Sequence, residues 1–112
     1  MAGMTAGYVR ATMTKILLGD ALSTSGRERL IGWMKNSSTG LDRLRAGLPR
    51  DWIVGDKTGT GANGAANDNA IVWPPDRAPI LIAAYLSGSR GPPEARNAAH
   101  AEIGSVIIRA FK

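Results

Sequence analysis

The chain has 112 residues, enough for one compact domain with a single core. Hydrophobic residues make up 44% and charged residues 21% of it, which excludes a disordered tail and a fibrous protein. Fourteen Lys and Arg residues against nine Asp and Glu residues give a net charge of +5, which suits an anionic ligand. The basic residues are scattered and aromatic residues are only 5%, so we do not expect nucleic-acid binding.

The sequence has no cysteine and one histidine, which excludes disulfides and the usual zinc sites, and we predict no metal or other cofactor. The longest apolar run, Ile80 to Leu86, is far shorter than the roughly 20 residues of a membrane-spanning helix. The first residues lack the basic and apolar regions of an export signal. We therefore expect no membrane partner and a cytoplasmic location for this chain expressed alone.

Two helices are predicted in the first third of the chain. Across residues 5–18, apolar side chains recur at helical spacing and a Gly-Asp pair follows. A second helix is predicted over residues 25–36, where Ser25 and Glu28 have the spacing of a capping box. Residues 41–48 carry arginines at alternate positions and precede a proline, which predicts an exposed irregular loop.

The pattern changes to strands after this loop. Short β-branched and aromatic runs predict strands at residues 51–61, 66–73 and 79–87. Asn63-Gly64 is a strong hairpin signal because both residues tolerate positive φ. A last helix, residues 93–111, has one apolar face that suits packing on a sheet. The predicted class is α+β, with two helices, three antiparallel strands in meander order and a helix packed on the sheet.

A Lys-Thr-Gly tripeptide, Lys57 to Gly59, lies near the end of the first predicted strand. Alone it indicates no more than a solvated strand end, but further segments occur with it in order. These are Leu17-Leu-Gly-Asp-Ala-Leu-Ser23, Trp33-Met34, Arg43-Leu-Arg-Ala-Gly-Leu-Pro49, Gly55-Asp-Lys-Thr-Gly-Thr-Gly61, Asn67-Asp68 and Trp73-Pro-Pro75. Together they resemble the carboxyl-terminal part of class A serine β-lactamases, from about residue 5 to residue 111. The resemblance implies a single partial domain, residues 1–112, of the β-lactamase fold.

The resemblance also implies roles for the residues of the tripeptide and its neighbours. Lys57 is expected to supply positive potential and Thr58 to hydrogen-bond the carboxylate of a β-lactam antibiotic. The backbone N–H of Thr60 is expected to stabilise the oxyanion that forms when the lactam carbonyl is attacked. Gly59 and Gly61 are expected to let the substrate approach the strand closely.

Two residues outside the strand complete the predicted site. The resemblance implies that the Arg43 guanidinium points toward the substrate carboxylate and that Asn97, at the start of the last helix, lies near the same side. A simpler interpretation of the arginines also stands, in which Arg43 and Arg45 cap a helix end or pair with Asp42 and Asp51.

The remaining unusual side chains are expected to be structural. Trp33, Trp52 and Trp73 suit core and edge packing better than a substrate platform. His100 lies among alanines on the last predicted helix, and no Ser or Asp arrangement marks it as a catalytic base. We expect a structural or exposed histidine.

The residues that carry out covalent chemistry in the family are missing from this sequence. No serine has a lysine three positions later, and Asn67-Asp68-Asn69 resembles the family's Ser-Asp-Asn element only in its letters. The deacylating glutamate of the family belongs to a loop that precedes the matching region. The sequence therefore predicts a β-lactam-recognising segment of an antibiotic-resistance hydrolase that is inactive alone, with no nucleophile of its own.

Alternative functions remain open at this point. The chain could be a non-catalytic ligand-binding or self-associating module, or a fragment that needs complementation by an amino-terminal fragment. In the family the sheet has five strands, and the strand matching Ile80 to Leu86 pairs with one from the amino-terminal part. An unpaired edge recruits other chains, so self-association is expected. Because family members are exported, we expect a full-length parent to be periplasmic or secreted.

Overall fold

The computed structural model describes residues 5–88 and 90–111. In the first half, α1 (Ala6–Met13) continues into a π-helical segment (Thr14–Leu18), and α2 (Thr24–Lys35) is followed by a 3-10 helix (Leu44–Gly47). The second half contains β1 (Ile53–Thr60), β2 (Ala66–Trp73), β3 (Ile80–Leu86) and α3 (Pro93–Phe111). The predicted α+β class and order of elements are confirmed.

Both early helices begin at a hydroxyl cap. The Thr5 hydroxyl accepts from the Tyr8 N–H, and the Ser23 hydroxyl accepts from the Gly26 N–H at 3.1 Å. The predicted capping box at Ser25 is therefore wrong. Ser23 takes the cap because its backbone is extended, with ψ of 159°, and the helix has already begun when the chain reaches Ser25.

The helix predicted over residues 5–18 changes its hydrogen bonding after Met13. The Gly19 N–H donates to the Thr14 carbonyl, five residues earlier, at 2.9 Å, which is the π-helical pattern. Glycine suits the end of this segment because a Cβ there would lie 2.8 Å from the Lys15 carbonyl oxygen.

The three strands form an antiparallel meander in the order β1-β2-β3, as predicted. Asn63 and Gly64 have φ of 59° and 68°, so both residues of the predicted hairpin turn are left-handed. The Ala65 N–H donates to the Ala62 carbonyl at 3.2 Å and closes the turn.

The register of β1 and β2 decides which backbone N–H groups of β1 are not hydrogen-bonded to β2. Thr60 lies opposite Ala66, and the Gly61 N–H donates to the Ala65 carbonyl at 3.1 Å. In an antiparallel pair, backbone groups point alternately toward and away from the partner strand. The N–H of Thr60 is therefore directed away from β2, toward the open edge of the sheet.

The sheet is covered on both faces, and each face has its own core. On one face, α3 and the 3-10 helix pack over Leu44, Leu48, Val54, Ala70, Val72, Ile82 and Ala84. On the other, α1, the π-helical segment and α2 pack over Met13, Leu17, Met34 and Ile71. Because side chains alternate along a strand, neighbouring residues of β1 serve different faces.

The segment predicted as an exposed loop, residues 41–48, is buried at its centre. Leu44 is fully buried, and the 3-10 helix packs against α3. The contact depends on glycine, because a Cβ at Gly104 would lie 2.6 Å from the Leu44 carbonyl oxygen and one at Gly47 would meet Ala101. The prediction is wrong because close helix packing through glycine leaves no apolar periodicity in the sequence.

Large apolar side chains remain exposed on the outside of this assembly. Trp52 and Trp73 pack against the two cores as expected, but Trp33 is 67% exposed, so its predicted packing is wrong. Tyr8 and Ile53 are also more than half exposed. Across residues 5–88 and 90–111, no helix has the length and apolarity needed to cross a membrane.

Candidate functional site

The Lys-Thr-Gly sequence lies at the open edge of β1. Lys57 is exposed on the face covered by α2, opposite Asn69 of β2, whereas Thr58 and Thr60 lie on the face covered by α3. The Thr60 N–H projects from the edge between these faces. A cation, two hydroxyls and a backbone donor thus surround one strand end.

A cleft of about 480 Å³ lies beside this edge. The end of α2 and the following turn line it with Trp33, Ser37 and Thr39, and Lys57 lines it from β1. The Thr39 hydroxyl is 2.7 Å from the Thr58 hydroxyl, and Ser37 is 3.3 Å from Thr39. Thr39 was not predicted as a site residue, because it lies in the connection after α2 and belongs to no motif of the sequence.

The Arg43 side chain connects three of the other predicted site residues, Gly59, Thr60 and Asn97. Its Nε donates to Asn97 Oδ1 at 3.1 Å, and its Nη1 donates to the carbonyls of Gly59 at 3.0 Å and Asn67 at 2.7 Å. Its Nη2 donates to the Thr60 hydroxyl at 2.7 Å. A guanidinium has five N–H donors, and one Nη2 hydrogen is not used by these four bonds.

The two glycines of the strand end have space around them. A Cβ at Gly59 would come no closer than 3.9 Å to its neighbours, and one at Gly61 would lie 3.8 Å from the Ala65 Cβ. These are ordinary van der Waals distances, and neither glycine has positive φ. Packing within the chain therefore does not require glycine at either position.

Arg45 is held by an ion pair rather than by either of the aspartates considered above. Its Nη2 lies 2.9 Å from Oδ1 of Asp56, whose side chain is completely buried. The proposed pairing with Asp42 or Asp51 is therefore wrong for Arg45. Asp56 was missed because the sequence does not indicate which strand residue the 3-10 helix covers.

Asp68 is buried beside Asp56 and accepts a hydrogen bond from the Leu44 N–H at 3.2 Å. Burial, with the hydrogen bond to Asp56 and the charge of Asp56, raises the pKa of Asp68 to about 8. The buried oxygens Asp56 Oδ2 and Asp68 Oδ1 accept from no N–H or O–H donor in the described chain. A proton on Asp68 that is donated to Asp56 satisfies both carboxyls.

His100 is buried under the same face of the sheet and is 1% exposed. Its Nε2 donates to the Ala66 carbonyl at 2.8 Å. Burial lowers the pKa of His100 and the charge of Arg43 lowers it further, while the bond to Ala66 acts in the opposite direction. His100 is therefore buried rather than exposed, and a structural role for it stays a prediction. No group of three or more potential metal ligands occurs in the part of the chain that the structure describes.

A family model described as the beta-lactamase enzyme family matches residues 3–111. The chain belongs to this family. A solved ancestral class A beta-lactamase superposes with a TM-score of 0.95 at 47% identity, covering 99% of this chain and 45% of that one. The resemblance to class A enzymes and the partial β-lactamase fold predicted from the sequence are confirmed.

Curated beta-lactamases show the same partial coverage. Beta-lactamase AST-1 of Nocardia asteroides is 43% identical over 107 residues, which is 96% of this chain and 34% of that protein. The carbapenem-hydrolyzing beta-lactamase KPC of Klebsiella oxytoca is 50% identical over 78 residues, 69% of this chain and 27% of that protein. The chain spans about a third or less of the length of these relatives, and it corresponds to their carboxyl-terminal part.

Proposed function

We propose that this chain is the β-lactam-recognising segment of a class A β-lactamase, folded as one partial domain. The observation that carries the proposal is the open end of β1, where Lys57, Thr58 and the Thr60 N–H surround one strand edge and Arg43 keeps one free Nη2 hydrogen. A β-lactam bears a carboxylate, and attack on its carbonyl develops a second negative charge. Cations and preorganised N–H donors are the groups that stabilise both charges.

Each group has a distinct role in this proposal. The Lys57 ammonium holds positive potential at the site, and the Thr58 hydroxyl donates to the substrate carboxylate. Arg43 directs its remaining Nη2 hydrogen to the same carboxylate, while Asn97 holds its Nε. The Thr60 N–H donates to the oxyanion that forms on the lactam oxygen.

The open space at Gly59 and Gly61 supports close approach of a ligand to the strand. Packing does not explain these glycines, because a Cβ at either position meets only ordinary contacts. A ligand that lies against the strand edge does explain them, since it would contact any added Cβ.

We propose that hydrolysis needs residues from further polypeptide. Acyl transfer requires a nucleophile and a base within hydrogen-bonding reach of the lactam carbonyl. The sequence has no Ser-x-x-Lys element, and Lys57 and Thr60 only stabilise charge. The chain alone binds β-lactams and does not turn them over.

The complementing partner in this proposal is the amino-terminal portion of a class A enzyme. An apolar cavity of about 170 Å³ opens between the two early helices and the sheet, with Lys57 and Asn69 at its wall and Met13, Leu17 and Met34 within it. Apolar side chains of the partner that insert into this cavity would bury Lys57 beside the serine of the partner's Ser-x-x-Lys element. The full-length enzyme of this kind is proposed to be exported.

Titration calorimetry of the chain with benzylpenicillin tests the binding role. The Lys57→Ala variant should bind about tenfold or more weakly, because it loses a charge-assisted contact. Lys15→Ala is the matched control, since Lys15 is also exposed but lies on the π-helical segment. Equal affinity of the wild type and the Lys57→Ala variant would contradict the anchoring role.

Hydrolysis of a chromogenic cephalosporin tests the partner. The wild-type chain mixed with an amino-terminal fragment that carries Ser-x-x-Lys, Ser-Asp-Asn and the deacylating glutamate should turn the substrate over, whereas each component alone should not. A complex that forms without any turnover would contradict the proposal.

Self-association through β3 is proposed for the chain when no partner is present. Among the described strands β3 pairs only with β2, and the register directs the N–H groups of Leu81, Ala83 and Tyr85 outward. Light scattering at tens of micromolar should detect dimers or larger species that Ala83→Pro reduces. A strictly monomeric wild-type chain would contradict this contact.

A further inference from the structure

The two ring nitrogens of His100, the only histidine of the sequence, have different surroundings. His100 Nε2 lies 2.8 Å from the Ala66 carbonyl oxygen. A carbonyl only accepts hydrogen bonds, so Nε2 carries the hydrogen and Nδ1 is the bare nitrogen of a neutral ring. Nδ1 is buried, and it has no hydrogen-bond partner among residues 5–88 and 90–111.

His100 lies next in sequence or in space to two of the four groups that accept hydrogen bonds from Arg43. Ala66 directly precedes Asn67, whose carbonyl accepts from Arg43 Nη1. Asn97 lies one turn before His100 on α3, on the same side of the helix, and accepts from Arg43 Nε. The ring thus ties α3 to β2 at the place where the arginine bridges them.

We infer that neutral His100 is a positioning residue that holds Arg43 in its ligand-binding orientation, and that protonation of His100 releases this arginine. The inference rests on the proposed function for the ligand that Arg43 meets. The hydrogen bond from His100 to Ala66, which precedes Asn67, does not depend on that ligand.

Protonation is unfavourable because it adds a hydrogen to Nδ1, where the described chain offers no acceptor. It also creates a second positive charge near that of Arg43, which directly precedes the 3-10 helix. Asp68, on the same face of β2, is neutral through its proton at pH 7, Arg96 lies one turn earlier on α3, and Glu102 is exposed. None of these groups is a buried, charged carboxylate that could stabilise the protonated ring. The unfavourable charge is therefore removed only when α3 separates from the end of β2.

Nuclear magnetic resonance of the ¹⁵N-labelled full chain tests the inference without a ligand. One histidine gives one set of imidazole signals, which report both tautomer and ionisation. The expected tautomer carries hydrogen on Nε2, and the Arg43 Nε–H signal should lose its exchange protection over the pH range in which His100 ionises. A neutral ring with its hydrogen on Nδ1 would overturn the inference. So would an Arg43 Nε–H signal whose exchange protection does not change as His100 ionises.

Two variants separate positioning from a merely structural role. His100→Gln offers an N–H donor that does not titrate, so its Arg43 Nε–H signal should stay protected in acid. His100→Leu has neither donor nor charge, and its signal should be unprotected at every pH. A glutamine variant that repeats the acid response of the wild type would overturn the inference. The wild-type titration decides the matter should either variant fail to fold.

Affinity for benzylpenicillin then connects the inference to the function. Between about pH 7.5 and a pH below the His100 ionisation that the resonance titration finds, the wild-type affinity should fall about fivefold or more, in the usual range for coupled sites, and that of His100→Gln should stay constant. Binding by the wild type that is equally strong at both pH values would overturn the inference. Absence of binding at any pH, with the Arg43 signal still following His100, would instead contradict the proposed function.

Discussion

Asp68 of β2 lies buried beside Asp56 of β1, beneath the segment that carries the site arginine. Each carboxyl also binds that segment, because Asp68 accepts from the Leu44 N–H at 3.2 Å and Asp56 pairs with Arg45 at 2.9 Å. Leu44 and Arg45 directly follow Arg43. The carboxyl pair therefore fixes the 3-10 helix on the sheet and, with it, the start of the Arg43 side chain.

The stability of the chain should fall as pH rises from about 4 to about 8, because the pKa of Asp68 is raised from 3.8 to about 8. In this window the folded chain keeps a proton that the unfolded chain loses. The contribution of Asp68 is complete below the unfolded pKa and is lost as pH rises to the folded pKa. The slope should reach at most about 1.4 kcal/mol per pH unit.

Urea unfolding at several pH values measures this slope. Asp68→Asn should flatten it, because an amide keeps a donor for Asp56 without a proton to lose. Asp42→Asn is the control, since Asp42 is exposed and should leave the slope unchanged. His100 acts in the opposite direction below about pH 6.5, where its lowered pKa makes acid destabilising. A slope that Asp68→Asn does not alter would contradict the shared proton.

Gly104→Ala should destabilise the chain by about 1–3 kcal/mol, although alanine favours helix. The added Cβ would lie 2.6 Å from the Leu44 carbonyl oxygen, and backbone on both sides limits relaxation. Gly32→Ala is the matched control in α2, where a Cβ has nothing within 4 Å. It should stabilise by about 0.5–1 kcal/mol. Equal unfolding midpoints for the two variants would show that the contact between α3 and the 3-10 helix is not tight.

Gly59→Ala should separate folding from ligand binding. Its Cβ has room within the chain, and alanine in a strand gains about 0.5–1 kcal/mol over glycine. Benzylpenicillin affinity should nevertheless fall, because the methyl group occupies the space proposed for the ligand. Thermal unfolding and calorimetry on the same sample measure both effects. A variant that is more stable and binds as well as the wild type would remove Gly59 from the site.

The strands and their turn were predictable because their signals are local. Short runs of β-branched and aromatic residues indicated β1, β2 and β3, and Asn63-Gly64 marked the hairpin because both residues tolerate positive φ. The Lys-Thr-Gly strand end was found because its neighbouring segments follow a family order. The cap of α2 was misplaced by two residues because Ser23 and Ser25 compete for one cap and backbone geometry decides between them.

The amino-acid sequence by itself determined the element types, the meander and the strand end that bears Lys57 and Thr58, since each depends on neighbours along the chain. Only the tertiary structure decided that Arg43, Leu44 and Leu48 are buried, that Arg43 bridges two strands and α3, and that two aspartates lie buried side by side. Those features arise from contacts between residues far apart in sequence. The space around each glycine, the burial of a side chain and the charge near it depend on these tertiary contacts, so no short sequence pattern predicts them.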